Sequence, residues 1–82
     1  MKAVEFTPNG VCSRKIDIVL SDENVIESVR FTGGCAGNTS GISKLVVGMR
    51  AEDVIKRLKG TTCGPRPTSC PDQLAQALES AL

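Results

Sequence analysis

A 13-residue segment at 60–72, GTTCGPRPTSCPD, most constrains what this 82-residue chain can fold into. It contains two cysteines, three prolines and two glycines, and segments with helical patterns flank it on both sides. Because proline fixes φ and lacks an N–H donor, both helix formation and strand pairing are disfavoured within the segment. We therefore expect a rigid loop that holds Cys63 and Cys70 at fixed positions.

The length of the chain predicts one domain, at 1–82, with a small core. A chain of this size buries only about 60–65% of its unfolded surface. The hydrophobic residues make up 40% of the sequence and are almost all aliphatic, with two Phe and no Trp or Tyr. Small domains with such cores often gain stability from a metal or from cross-links. The four cysteines are the candidates for that role.

Cysteine chemistry depends on the compartment. The first residues, MKAVEFTPNG, lack the apolar run of a signal peptide, and no later stretch has the length and apolarity of a membrane span. We therefore expect a cytoplasmic protein, in which thiols stay reduced and metal binding or redox chemistry is favoured over structural disulfides. The net charge of +1, with few aromatic residues, does not favour a nucleic-acid-binding surface.

Three segments show the alternation of apolar and polar residues that is typical of β-strands. They cover 2–7, 14–20 and 25–32, with a Pro8-Asn9-Gly10 turn after the first and a four-residue loop after the second. The residues expected to face the core are Val4, Phe6, Ile16, Ile18, Leu20, Val29 and Phe31. An antiparallel three-stranded meander is the simplest arrangement.

Three helices are expected to follow the strands. The first has Asn38, Thr39 or Ser40 as its cap, and its apolar stripe is Ile42, Leu45, Val46 and Met49. The second covers 51–59 and ends at Gly60. The third runs from about Pro71 to the C-terminus, with Ser69 or Cys70 as its cap. This order predicts an α+β fold in which the three helices pack on one face of a three-stranded antiparallel sheet.

All the cysteines are predicted to lie in loops or at the ends of elements, where functional residues concentrate: Cys12, Cys35, Cys63 and Cys70. The chain contains no His, so a transition-metal site here must consist mainly of thiolates, which favour zinc and iron–sulfur clusters. Cys35 and Cys70 precede or begin helices, whose positive ends favour an anionic sulfur. Arg14 and Arg66 offer further positive charge. We therefore predict a four-cysteine site for Zn²⁺ or an Fe–S cluster.

Two other interpretations of these residues stay open. The sequence has no Cys-x-x-Cys knuckle, so the cysteines are also compatible with unrelated packing thiols. The glycine-rich stretch GGCAGNTS at 33–40 could hold a phosphate on backbone N–H groups. It lacks both the lysine pattern of a P-loop and the dinucleotide-binding fingerprint.

The motif Thr68-Ser69-Cys70-Pro71-Asp72 resembles the signature of the TSCPD domain family, and the likeness extends to FTGGCAGNTSGI, GMRAEDVIKRLKG and PDQLAQAL. Related domains occur at the C-termini of some cobalamin-dependent ribonucleotide reductases, and small stand-alone members exist. The resemblance implies metal-binding cysteines and an accessory role in ribonucleotide reduction for DNA synthesis. Oxidoreductase or nucleotide-binding labels would follow from it by name, but 82 residues cannot supply the radical generator and large barrel that catalysis requires. Arg50 stands where the family leads us to expect a small helix-capping residue.

A more distant resemblance is to the NifU/IscU-type iron–sulfur scaffolds. It rests on Val11-Cys12-Ser13-Arg14, on FTGGCA at 31–36, and on Ser69-Cys70 at the start of a helix. That family has a three-stranded sheet followed by helices, with three cysteines at matching places. Where that family usually has an Asp, this chain has Arg14, and where it often has a His, this chain has Ser69. With Cys63 as an additional ligand, the resemblance therefore implies a stable metal site more than labile cluster transfer.

Three functional hypotheses follow from the sequence. The first is a metal-binding accessory domain that serves ribonucleotide reductase or another protein partner. A homodimer of the domain is compatible with this hypothesis. The second is a thiol–disulfide redox protein, in which Cys63 and Cys70 deliver electrons for ribonucleotide reduction. The third is an Fe–S cluster scaffold.

Overall fold

Three antiparallel strands are followed by three helices, as the sequence predicts. The computed structural model describes residues 1–11, 13–33 and 36–82. The elements in chain order are β1 (Lys2–Phe6), β2 (Ser13–Leu20), β3 (Ile26–Gly33), α1 (Ala36–Leu45), α2 (Ala51–Leu58) and α3 (Cys70–Ala81). None of the helices in these described ranges is long and apolar enough to span a membrane.

The sheet has the order β1-β2-β3, so β2 is central and β3 is an edge strand. In β2 the predicted inward residues Ile16, Ile18 and Leu20 are all fully buried. Ile18 lies opposite Val4 in β1 and Val29 in β3. One face of the sheet therefore carries the core, and the predicted meander is confirmed.

A β-bulge in β3 buries a residue that strict alternation does not predict. Val19 pairs with Ser28, but Leu20 pairs with Ile26, which leaves Glu27 as an extra residue in β3. The extra residue changes the parity of the strand, so Ile26 and Val29 point to the same side. Ile26 is accordingly 1% exposed, whereas the predicted core residue Phe31 is only half-buried.

Helix α3 forms the centre of the helical layer. Its residues Leu74, Ala77 and Leu78 are buried, at the i, i+3 and i+4 spacing of an amphipathic helix. The helix contacts β1 and β2, whereas α1 contacts β3 and α2 packs against α3. The predicted α+β arrangement is thus confirmed.

The expected cap and length of α1 are wrong. The helix begins at Ala36, so Asn38, Thr39 and Ser40 lie inside it. It ends at Leu45, before Val46 and Met49, because the following segment pairs with β3. Gly48 has a φ of +89°, and its N–H donates to the carbonyl of Ile26 at 2.8 Å. Ile26 N–H donates in turn to the carbonyl of Met49 at 2.9 Å.

Early termination of α1 also exposes Leu45, which was expected in the apolar stripe. Its side chain is 76% exposed, whereas Val46 is buried and Ile42 and Met49 pack against the core. Arg50 is the N-cap of α2 and makes no side-chain capping hydrogen bond, in line with its departure from the expected small residue. The second helix ends before Gly60, which has a φ of +87°.

Candidate functional site

A tight turn in the proline-rich segment presents Cys63 to solvent. The N–H of Arg66 donates to the carbonyl of Cys63 at 3.0 Å, and the N–H of Cys63 donates to the carbonyl of Thr68 at 3.3 Å. Gly64, in the turn, has a φ of +56°, a conformation that glycine adopts without strain. Cys63 is exposed. The loop therefore has the defined geometry that its prolines predict.

Cys70 is the first residue of α3 and is half-buried. Ser69 is the N-cap of the helix, since its hydroxyl accepts a hydrogen bond from the N–H of Asp72 at 3.2 Å. The same hydroxyl donates to the carbonyl of Thr61 at 2.7 Å. Ser13 Oγ lies 3.2 Å from Cys70 Sγ, within hydrogen-bonding distance. The position of Cys70 is thus set by the helix start and by a contact from β2.

Asp72 joins the two ends of the proline-rich segment. Its carboxylate accepts hydrogen bonds from the Thr68 hydroxyl, from the N–H of Gly60 at 2.7 Å and from the Gln76 amide at 3.0 Å. The bond from Thr68 is the main reason that the pKa of Asp72 lies below its ordinary value, and Gly60, Gln76 and the charge of Lys59 act in the same direction against burial. Asp72 therefore joins the end of α2 to the start of α3 through hydrogen bonds to an ionised carboxylate.

The same cluster extends to the turn between β1 and β2. The Gln73 amide nitrogen donates to the Thr68 hydroxyl at 2.9 Å, and the Gln73 amide oxygen accepts from the N–H of Asn9 at 3.1 Å. Gly10 packs closely against Thr68, because a Cβ at Gly10 would lie 3.1 Å from the Thr68 methyl group. Sequence reasoning missed this network, since its members are separated by up to 64 residues.

Cys63 and Cys70 line one cavity of about 330 Å³. Its other lining residues come from the loop before β2, from α1, from the proline-rich segment and from the start of α3: Val11, Asn38, Thr39, Ile42, Arg66, Ser69 and Pro71. Two of the four predicted ligands therefore meet at a common space. Arg66 also reaches this cavity, whereas Arg14 is exposed and is not among its lining residues.

Cys12 and Cys35, the other two predicted ligands, lie outside the described residues. Within 1–11, 13–33 and 36–82, no three Cys, Asp or Glu side chains are grouped as a metal site would require. Two residues of the predicted phosphate-binding stretch, Gly34 and Cys35, also lie outside the described ranges. The four-cysteine site and the phosphate site therefore stay predictions.

The TSCPD domain model matches residues 1–82, the whole chain. The chain belongs to the TSCPD domain family. In this member, Thr68, Ser69 and Asp72 of the signature motif form the hydrogen-bond network, whereas Cys70 and Pro71 line the cavity. Comparison with curated proteins and with solved structures finds no match. The likeness to NifU/IscU-type scaffolds stays a prediction from the sequence.

Proposed function

We propose that this TSCPD domain is a metal-binding accessory domain in which Cys12, Cys35, Cys63 and Cys70 hold Zn²⁺ or a stable Fe–S cluster. The observation that carries the proposal is the cavity shared by Cys63 and Cys70. Val11, which precedes Cys12, lines the same cavity, as does Asn38, three residues after Cys35.

Chain continuity supports the same grouping, because consecutive Cα atoms are only about 3.8 Å apart. Ser13, on the other side of Cys12, is in contact with Cys70. A pair of sulfur donors on one cavity, in a chain without His, fits the soft-ligand preference of zinc and of iron–sulfur clusters. The hydroxyl of Ser13, the neighbour of a proposed ligand, would orient the Cys70 sulfur as an outer-shell partner.

The accessory role comes from family membership. Because related TSCPD domains accompany ribonucleotide reductases, we propose such an enzyme, or another protein in the cytoplasm, as the partner. In this proposal the domain supplies a stable metal-bound structure to its partner and carries out no reduction by itself.

The test is elemental analysis with a UV–visible spectrum of protein purified without oxygen. Stoichiometric zinc with a flat visible spectrum is expected for a structural site, and iron with charge-transfer bands for a cluster. The absence of Trp and Tyr leaves the near-ultraviolet region of the spectrum almost empty, so the absorption bands of a cluster would be easy to detect. A cluster that passes rapidly to an apo acceptor would instead indicate the scaffold function.

Variants distinguish the contribution of the two thiols to metal binding from that of the other cavity residues. The double substitution Cys63→Ser/Cys70→Ser should remove the metal and, because metal binding is coupled to folding, lower the thermal midpoint. Asn38→Ala changes the same cavity without removing a thiol and should keep the metal content. A double variant with the metal content of the wild type would contradict the proposal.

The second candidate, thiol–disulfide exchange, is favoured by the exposure of Cys63 and by the common cavity of the two free thiols. In that reaction the two thiols become a disulfide and pass two electrons and two protons to a disulfide of the acceptor. It predicts a metal-free protein whose thiols react readily with an alkylating agent. Thiols that react only after chelation would exclude it and favour the metal site.

A further inference from the structure

A groove of about 370 Å³ lies between the edge strand β3 and helix α1, next to the cysteine cavity, with which it shares Thr39. Arg30, Phe31 and Gly33 are among the residues that line it on the strand side. Ser40 and Ser43 line it on the helix side. We propose that an extended segment of another protein binds in this groove as a fourth strand, with an acidic side chain opposite Arg30.

The outer edge of β3 determines the kind of ligand. Among the described strands, β3 pairs with β2 alone, and at its start the outer edge is used by the loop after α1: Ile26 bonds to Gly48 and Met49. Beyond Ile26, no described segment pairs with the outer edge of 27–33. Free N–H and C=O groups along an extended strand are satisfied best by another extended chain.

Helix α1 leaves room for such a chain. Ser40 is exposed, and Ser43 turns its hydroxyl back to donate to the carbonyl of Thr39 at 2.6 Å. A strand between β3 and α1 would therefore meet small side chains, as in other groove sites where main-chain bonds supply affinity.

Arg30 defines the charge of the ligand. Its side chain is exposed at the groove, and no ion pair joins it to any described residue. Asp17 of β2 lies opposite Arg30, but its carboxylate forms an ion pair with Lys15, at 3.6 Å from Oδ2 to Nζ, and not with Arg30. Because opposite charges on facing strands are favourable, a Glu or Asp in the bound strand would pair with Arg30.

A second copy of this chain fits the groove poorly. Antiparallel self-pairing centred on the free edge at 27–33 would set Arg30 of one copy against Arg30 of the other, and like charges directly opposite are destabilising. A register that instead places Glu27 opposite Arg30 would also require the outer edge of Ile26, which Gly48 and Met49 occupy. Glu27 is the one acidic residue of 27–33, so no other register within this edge places an opposite charge against Arg30. The ligand is therefore expected to be a different protein.

The test is an NMR titration of the whole protein, labelled with ¹⁵N. The probe is an acetylated and amidated peptide of alternating threonine and valine with one central glutamate. Saturable shifts are expected for the amides of 27–33 and 39–43. The same peptide methylated on its two central backbone nitrogens cannot complete the strand pairing and should not bind.

Charge variants test the role of Arg30. Arg30→Glu should weaken binding of the glutamate peptide roughly three- to ten-fold and favour a peptide with lysine at its centre. Arg57→Glu makes the same change of charge on α2 and should leave binding unchanged. Ser40→Trp should block the groove, and the spectrum of each variant reports directly whether it is folded.

Three outcomes would overturn the proposal. They are the absence of saturable binding, equal binding of the methylated peptide, and shifts at 27–33 that depend on protein concentration without peptide, which would indicate self-pairing. Metal content is measured separately by elemental analysis, so failure of this proposal and failure of the proposed metal site are distinguishable.

Discussion

The five residues of the signature motif have two different roles. Thr68, Ser69 and Asp72 satisfy backbone and side-chain hydrogen-bonding groups around the start of α3. Cys70 and Pro71 line the cavity that Cys63 also reaches. The motif therefore combines two roles: its hydrogen-bond network positions α3, and the start of α3 positions the sulfur of Cys70.

At the residue scale, Asp72→Asn tests the network. We expect the substitution to lower the free energy of unfolding near neutral pH by about 1–3 kcal/mol, because it weakens hydrogen bonds to a buried carboxylate. The pKa of Asp72 is lowered on folding from an ordinary value of 3.8. The stability due to its ionised form is therefore present above that pH and is lost as the pH falls below it.

Urea unfolding at about pH 7 and about pH 3 measures this dependence. The difference between wild type and Asp72→Asn should shrink at the acidic pH. Asp53→Asn, at an exposed position in the first turn of α2, is the control and should change stability by about 0.5 kcal/mol or less. An equal difference at both values of pH would show that ionised Asp72 does not stabilise the fold.

At the scale of elements, glycines act in opposite ways in different places. Gly10 has a φ of +74° and packs against Thr68, so the turn after β1 requires glycine. Gly41 lies within α1, where an added Cβ would meet no other atom within 4 Å. The first residue is needed by the fold, and the second only weakens a helix.

Substitution of each glycine by alanine should therefore have opposite effects on the free energy of unfolding. Gly10→Ala should lower it by about 1–2 kcal/mol, because an L-residue is strained at positive φ and the new methyl group would crowd Thr68. Gly41→Ala should raise it by about 0.5–1 kcal/mol through helix propensity. Chemical denaturation of the two variants makes the comparison, and destabilisation by Gly41→Ala would contradict the expected gain in helix propensity.

At the scale of the whole molecule, one core joins the sheet face to α3. Ile16, Ile18 and Leu20 from the central strand meet Leu74 and Leu78 from the helix, and all five are essentially inaccessible to solvent. Two candidate sites lie beside this core and share Thr39. The cysteine cavity lies at the start of α3, and the strand-binding groove lies along β3.

The core predicts different effects on stability for two leucines, one buried and one exposed. Leu78→Ala should lower the free energy of unfolding by about 2–5 kcal/mol, because it removes a fully buried side chain and leaves a cavity. Leu45→Ala should change it by about 0.5 kcal/mol or less, since Leu45 is exposed. Thermal or urea unfolding measures both. A large loss in the Leu45 variant would show that its side chain is covered in solution.

The sequence by itself determined most of the architecture, because the information it used is local. Alternation in β2 identified Ile16, Ile18 and Leu20, and a proline in the first turn with a serine cap identified the start of α3. The TSCPD motif also identified the family. Each of these signals acts within a few residues of the chain, where hydrophobic periodicity and capping chemistry are decisive.

Tertiary structure alone decided the features that depend on residues distant in sequence. The end of α1 is set by two hydrogen bonds, one from the N–H of Gly48 to the carbonyl of Ile26 and one from the N–H of Ile26 to the carbonyl of Met49, which outcompete continued helix. The bulge at Glu27 and the contact of Asp72 with Gly60 are likewise invisible to local patterns. Backbone polar groups must be satisfied wherever the chain is buried, and the partners that satisfy them are known only once the elements have packed.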